Sequence, residues 1–314
     1  MIVLMNTPLS PEHRAQIQAV SDRLELLCPT GHDTLLAAAA RAEVIFGGFD
    51  RALFQAAPHL RWVQVLSAGV DGLLFPELVE SRVTLVSAKG AVGTHLADQA
   101  MGLLLALIRG IHTALRARTW RAQGAIREAT WELEDRTIGI VGLGGTGREF
   151  ARRAAAFGAR LIAVDPEPVP RPDGVSELWR LDRFGDLLEQ SDVVVVCAPL
   201  TPETEGLFDR SAFQRMRPHA LLINVTRGRI VDGAALMEAL TTRRIGGAGL
   251  DVLPWEPLPD NHPLWSMENV IITPHCAGGS PLRISRSVAL FCENLRRDLA
   301  GEPLVSVIDK QKGY

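Results

Sequence analysis

The stretch Thr137-Ile138-Gly139-Ile140-Val141-Gly142-Leu143-Gly144-Gly145-Thr146-Gly147 constrains this chain more than any other. An apolar run turns directly into a glycine-rich segment, and Phe150, Ala151, Ala154 and Phe157 then recur at helical spacing. A strand, tight turn and helix in that order aim backbone N–H groups and the positive end of the helix dipole at an anion. Gly142 permits the turn, Gly144 admits a pyrophosphate close to the backbone, and Gly147 lets the helix pack on the strand. Gly145 and Thr146 share the same turn. Gly158 closes the helix, residues 161–164 read as the next strand, and Asp165 stands at its end. An acid there can hold both ribose hydroxyls of an adenine nucleotide. This βαβ context gives a short glycine pattern its meaning.

The chain has 314 residues, enough for two domains with their own cores. A net charge of -3 offers no basic face for nucleic acid and no polybasic membrane anchor. The longest apolar run, around residues 103–108, is far short of the ~18 residues that a membrane span needs. The first residues lack a basic start and a cleavage site, so a cytoplasmic protein is expected. Cys28, Cys197, Cys276 and Cys292 are scattered, with no Cys or His spacing of a metal site. Reduced thiols and no metal are expected.

Residues 2–90 alternate short apolar runs (2–5, 24–27, 44–46, 62–66 and 83–86) with helical stretches, which reads as a small parallel α/β lobe. Ser67, Ala68 and Gly69 follow one of those strands at the end where open α/β sheets place ligands, and their N–H groups suit a carboxylate. Ala100, Leu103, Leu104, Leu107, Ile111 and Leu115 predict one long helix over 96–118. Beyond the glycine turn, 191–199, 220–225, 247–252 and 269–273 complete a six-stranded doubly wound domain, with 166–174 as a loop. A last helix over 280–299 is expected to return to the first lobe.

Three polar residues follow three different strands of the second half: Arg227, Glu256 and His275. Arg227 presents a planar fork to a carboxylate and polarises an adjacent carbonyl. His275 can give a proton to that oxygen as hydride reaches the carbon, and Glu256 can orient the imidazole. Asp165, joined by Glu167, disfavours a 2′-phosphate, although Arg171 lies in the same loop; NAD is expected rather than NADP.

With these residues in place, the chain resembles the D-isomer-specific 2-hydroxyacid dehydrogenase family nearly end to end. The matching blocks are 67–71, 142–147, Pro199-Leu-Thr-Pro-Glu-Thr204, 224–232, 251–257 and 273–278. The resemblance implies a Rossmann dinucleotide-binding domain (95–277) inserted in a discontinuous flavodoxin-like substrate domain (1–94 and 278–314), a homodimer, and a small 2-keto or D-2-hydroxy acid as substrate. It assigns Arg227, Glu256 and His275 to catalysis. It also extends the cofactor set to Ala198, Pro199, Thr204, Val225, Thr226, Asp251 and His275, and the substrate set to Ser67, Ala68, Gly69, Arg227 and His275. Thr146 and Asp98 depart from the family's common residues. A glyoxylate or hydroxypyruvate reductase is the leading expectation. Two rivals share the fold: a formate- or phosphite-type dehydrogenase, and a non-enzymatic NAD-sensing protein of the corepressor kind.

Overall fold

The computed structural model describes residues 1–314 and divides them into two compact units, Met1–Val92 with Ser280–Tyr314, and Gly93–Gly279. The first contains β1 (Ile2–Asn6), β2 (Glu25–Leu27), β3 (Val44–Gly47), β4 (Trp62–Gln64) and β5 (Thr84–Val86). They form an all-parallel sheet in the order β2-β1-β3-β4-β5, the flavodoxin-like arrangement. Val3, Met5, Val44, Phe46 and Trp62 pack on Val288, Phe291 and Leu295 of the closing helix Arg283–Ala300. Alternate residues of the same strands, Leu4, Ile45 and Val63, face a second apolar layer. Burial on both faces is why these strands read as continuous apolar runs rather than alternating ones.

The second unit contains β6 (Thr137–Val141), β7 (Arg160–Val164), β8 (Val175–Trp179), β9 (Val193–Val196), β10 (Leu221–Asn224), β11 (Gly247–Leu250) and β12 (Val270–Ile272). All are parallel, in the order β12-β11-β10-β9-β6-β7-β8. The chain winds from β6 toward β8 and then returns past β6 to β9, so the winding reverses between β6 and β9. Ligands of doubly wound sheets bind at the carboxyl ends of the strands at such a switch point.

Two expectations for this unit are corrected. The sheet has seven strands rather than six. Val175–Trp179 sits at its edge and is mostly half-exposed, which removes the apolar signature that marked the others. The helix expected over 96–118 is two helices, Gly93–Ile108 and Ile111–Ala117, bent 65° apart. Gly110 makes the corner in the left-handed region at φ 65°, and a Cβ there would stand 2.7 Å from Ile126 Cγ2. Small shifts occur elsewhere: the last helix begins at Arg283, and β9 is confined to four valines. No single helix is long and apolar enough to cross a membrane.

Candidate active site

The glycine turn lies at the switch point itself. Gly142 adopts φ 93°, and a Cβ on it would fall 2.7 Å from the Ala198 nitrogen at the end of β9. A Cβ on Gly147 would fall 2.1 Å from the Gly142 carbonyl oxygen, so the helix Gly145–Ala155 packs against the turn at a distance only glycine allows. Gly144 caps that helix, is exposed, and has nothing within 4 Å of its Cβ position. The cradle is closed where backbone meets backbone and open where a diphosphate would lie, so it fits a dinucleotide. Gly145 and Thr146 open the first turn of the helix.

Asp165 directly follows β7 and is buried, with one carboxylate oxygen accepting from the Leu143 N–H at 2.7 Å and the other from the Glu167 N–H at 2.9 Å. It therefore ties the glycine turn to the next loop. Arg171 donates to the carbonyls of Val175 and Ser176 at 3.1 and 2.5 Å, and Arg148 donates to the Pro170 carbonyl at 2.8 Å. Past β9, Ala198 and Pro199 lead into a tight turn in which Thr204 Oγ1 donates to the Pro199 carbonyl at 2.7 Å and accepts from the Thr201 N–H at 2.8 Å.

Arg227, Glu256 and His275 come from loops that follow the adjacent strands β10, β11 and β12, and close contacts join those loops. A Cβ on Gly228 would lie 1.8 Å from the Leu253 carbonyl oxygen, and one on Gly233 would lie 2.2 Å from the Trp255 ring. The loops after β10 and β11 thus touch through backbone at the residue next to Arg227. Asn224 Nδ2 donates to the Arg227 carbonyl at 2.9 Å, and its Oδ1 accepts from the Thr226 N–H at 3.2 Å. Val225 between them is buried. Glu256 bridges onward: its Oε1 accepts from the Leu253 N–H at 2.8 Å, and its Oε2 lies 2.7 Å from His275 Nδ1.

His275 itself is held at φ 50°. Its N–H donates to the Asp251 carbonyl at 2.8 Å. The Asp251 side chain, only 1% of the residue being exposed, accepts from the Thr273 hydroxyl at 2.6 Å and the N–H groups of Cys276 and Ala277 at 3.0 and 2.9 Å. Thr273 Oγ1 in turn accepts from Gln99 Nε2 at 3.0 Å. Sequence reasoning gave Thr273 only a place in the block 273–278 and gave Gln99 no part; the one available signal for Gln99 is a polar side chain interrupting the apolar pattern of the helix Gly93–Ile108. Cys276 is exposed, but burial of its sulfur and then the charge of Asp251 push its thiol up, away from a ready nucleophile. Cys197, in the core, is pushed up to about 12 by burial.

Asp98, one of the departures noted in the sequence, accepts from Arg153 Nε at 2.6 Å. It joins the helix Gly93–Ile108 to the helix behind the glycine turn. In the other unit, Ser67, Ala68 and Gly69 follow β4 and are partly exposed, with the Ala88 N–H donating to the Ser67 carbonyl at 2.9 Å.

A doubly wound sheet with a glycine cradle at its switch point, and an imidazole–carboxylate pair on the same edge, defines a nucleotide-dependent oxidoreductase fold. The family model for the NAD-binding domain of D-isomer specific 2-hydroxyacid dehydrogenases matches residues 101–277, and this chain belongs to that family. It is 35% identical to a glyoxylate reductase of Korarchaeum cryptofilum over 83% of this chain and 80% of that protein. It is 34% identical to a D-3-phosphoglycerate dehydrogenase of Mycobacterium tuberculosis over 96% of this chain, and spans 57% of that longer protein. Among solved structures, a D-isomer specific 2-hydroxyacid dehydrogenase from Xanthobacter autotrophicus in complex with NADPH and MES superposes with a TM-score of 0.81 at 29% identity, covering 100% of this chain and 99% of that one.

Proposed function

We propose that this chain interconverts a small 2-keto acid and a D-2-hydroxy acid, with NAD(H) as the redox partner and glyoxylate or hydroxypyruvate as the leading substrates. The observation that carries this reading is the His275–Glu256 pair, 2.7 Å apart, with the Glu256 loop joined by backbone contact to the one bearing Arg227. When bound, the nicotinamide supplies or accepts the hydride. The residues of the chain do the rest. Glu256 occupies His275 Nδ1, which leaves the Nε2 proton as the one to give to the keto oxygen during reduction, or to take back during oxidation. Arg227 holds the substrate carboxylate and draws charge toward the carbonyl oxygen.

The cofactor cradle comprises Gly142, Gly144, Gly145, Thr146 and Gly147, with Asp165 at the ribose. Ala198, Pro199, Thr204, Val225, Thr226 and Asp251 form the edge toward His275. A preference for NAD is supported by two features. The Asp165 carboxylate stands where a 2′-phosphate would need a cation, and Arg171, the nearby candidate for that role, is committed to two carbonyls.

The test is NADH oxidation at 340 nm with purified protein against 2-keto acids from glyoxylate and hydroxypyruvate to phenylpyruvate, repeated with NADPH. Turnover with a small keto acid, and a higher kcat/KM for NADH, is the expected result. A clear NADPH preference would refute the cofactor assignment, and no turnover with any keto acid would refute the reaction.

A further inference from the structure

We infer that Gln99 and Thr273 are positioning residues for His275, acting through the buried carboxylate of Asp251. The inference rests on the reaction proposed above only for its kinetic consequence; the relay itself is a matter of geometry. Gln99 Nε2 donates to Thr273 Oγ1 at 3.0 Å, and that hydroxyl donates to Asp251 Oδ1 at 2.6 Å. The same carboxylate accepts the N–H groups of Cys276 and Ala277, the two residues that follow His275. Its own backbone carbonyl accepts the His275 N–H at 2.8 Å. Asp251 thus grips the histidine loop on both sides of the imidazole.

Two physical points make the grip consequential. A non-glycine residue at φ 50° is held against its own preference and persists only where its surroundings fix it. The carboxylate of a residue that is only 1% exposed must take its hydrogen bonds from the protein, and the donors identified for Asp251 are the Thr273 hydroxyl, two backbone N–H groups and the weakly donating Cys276 thiol. Removing the Thr273 hydroxyl leaves that carboxylate short of a donor and Gln99 without its acceptor. The carboxylate then turns to recover a partner, and the two N–H bonds that define the loop weaken with it. The Gln99 amide, on the seventh residue of the helix Gly93–Ile108, fixes which way the hydroxyl points, since its N–H occupies a lone pair and directs the proton toward Asp251.

The experiment compares full-length Thr273→Val, Thr273→Ser and Gln99→Leu with the parent chain, by amide hydrogen exchange of peptides covering 273–279 and by steady-state kinetics. Thr273→Val is expected to speed exchange at Cys276 and Ala277 by fivefold or more and to lower kcat about tenfold. Gln99→Leu should shift both in the same direction by less, and Thr273→Ser should restore both. Unchanged exchange in Thr273→Val overturns the inference, whatever the kinetics do, and so does faster exchange with unchanged kcat. Should the parent chain reduce no keto acid, the proposed reaction falls while exchange still decides the relay: faster exchange reversed by Thr273→Ser upholds it, and unchanged exchange removes it.

Discussion

At the scale of single residues, the His275–Glu256 pair shows how position rather than strength makes a group useful. The imidazole side chain is 52% exposed and the carboxylate 35%, so as an ion pair it stabilises the fold by less than about 1 kcal/mol. Its contribution lies in fixing which ring nitrogen faces outward. Glu256→Gln is therefore expected to leave the melting temperature within a degree or two while lowering kcat at least about tenfold. Thermal melts beside steady-state rates check this, and a kcat within twofold of the parent would remove Glu256 from the reaction. Arg227, Glu256 and His275 stood out in the sequence because each is a chemically capable side chain just beyond an apolar run. Gln99 and the direction of the Asp251 carboxylate did not, because a hydrogen-bond relay between a helix and a loop 174 residues away leaves no periodic mark.

At the scale of elements, the end of the second sheet opposite the glycine turn has its own fastening. Asp192 precedes β9, and its carboxylate accepts from the Thr137 N–H at 2.9 Å, Arg217 at 2.8 Å and His219 at 2.8 Å. It joins the starts of β6 and β9 to the turn before β10. Burial pushes its carboxyl up, but the bonds from His219, Thr137 and Arg217 outweigh that and hold it below the usual aspartate range. A depressed folded-state value adds stability that is present above the ordinary value of 3.8 and is lost as pH falls through the folded one. Asp192→Asn should cost about 1–3 kcal/mol at pH 7, and the gap to the parent should narrow steadily in urea titrations below pH 4. An equal gap at both pH values would mean the charge contributes nothing. The strands of this sheet were legible wherever two buried faces forced an unbroken apolar run, as in Val193–Val196. Strand β8 escaped notice because an edge strand with one wet face is free of that constraint. The corner at Gly110 was hidden for a different reason: an apolar stripe of helical period runs across it unchanged.

At the scale of the whole molecule, the first unit is built from two distant pieces of chain. Phe291 on the returning helix lies 4.5 Å from Phe46 and 5.3 Å from Trp62, ring to ring, and Lys310 donates to the carbonyls of Leu78, Ser81 and Val83. Burying Val288, Phe291 and Leu295 contributes about 5–9 kcal/mol, comparable to the entire stability of an ordinary domain. A chain cut after Gly279 should therefore lose structure in residues 1–92 while 93–279 stays folded. Limited proteolysis checks this, and a protected N-terminal segment in the shortened chain would contradict it. The alternation of strands and helices made both sheets readable in advance, and the return of the last helix to the first lobe was expected with them, whereas the sheet face it covers was not, since nothing in its own pattern names that face.

That arrangement sets a schedule during synthesis. The first 92 residues leave the ribosome without the helix that covers them, and the 187 residues of 93–279 must follow before that helix is made. At about 5–20 residues per second the wait is roughly 10–40 s. Over that interval the apolar face of β1, β3 and β4 is the newborn chain's exposed flank, so the cofactor-type unit matures first and the older segment last. The nascent chain, rather than the finished molecule, is where this topology asks most of a chaperone.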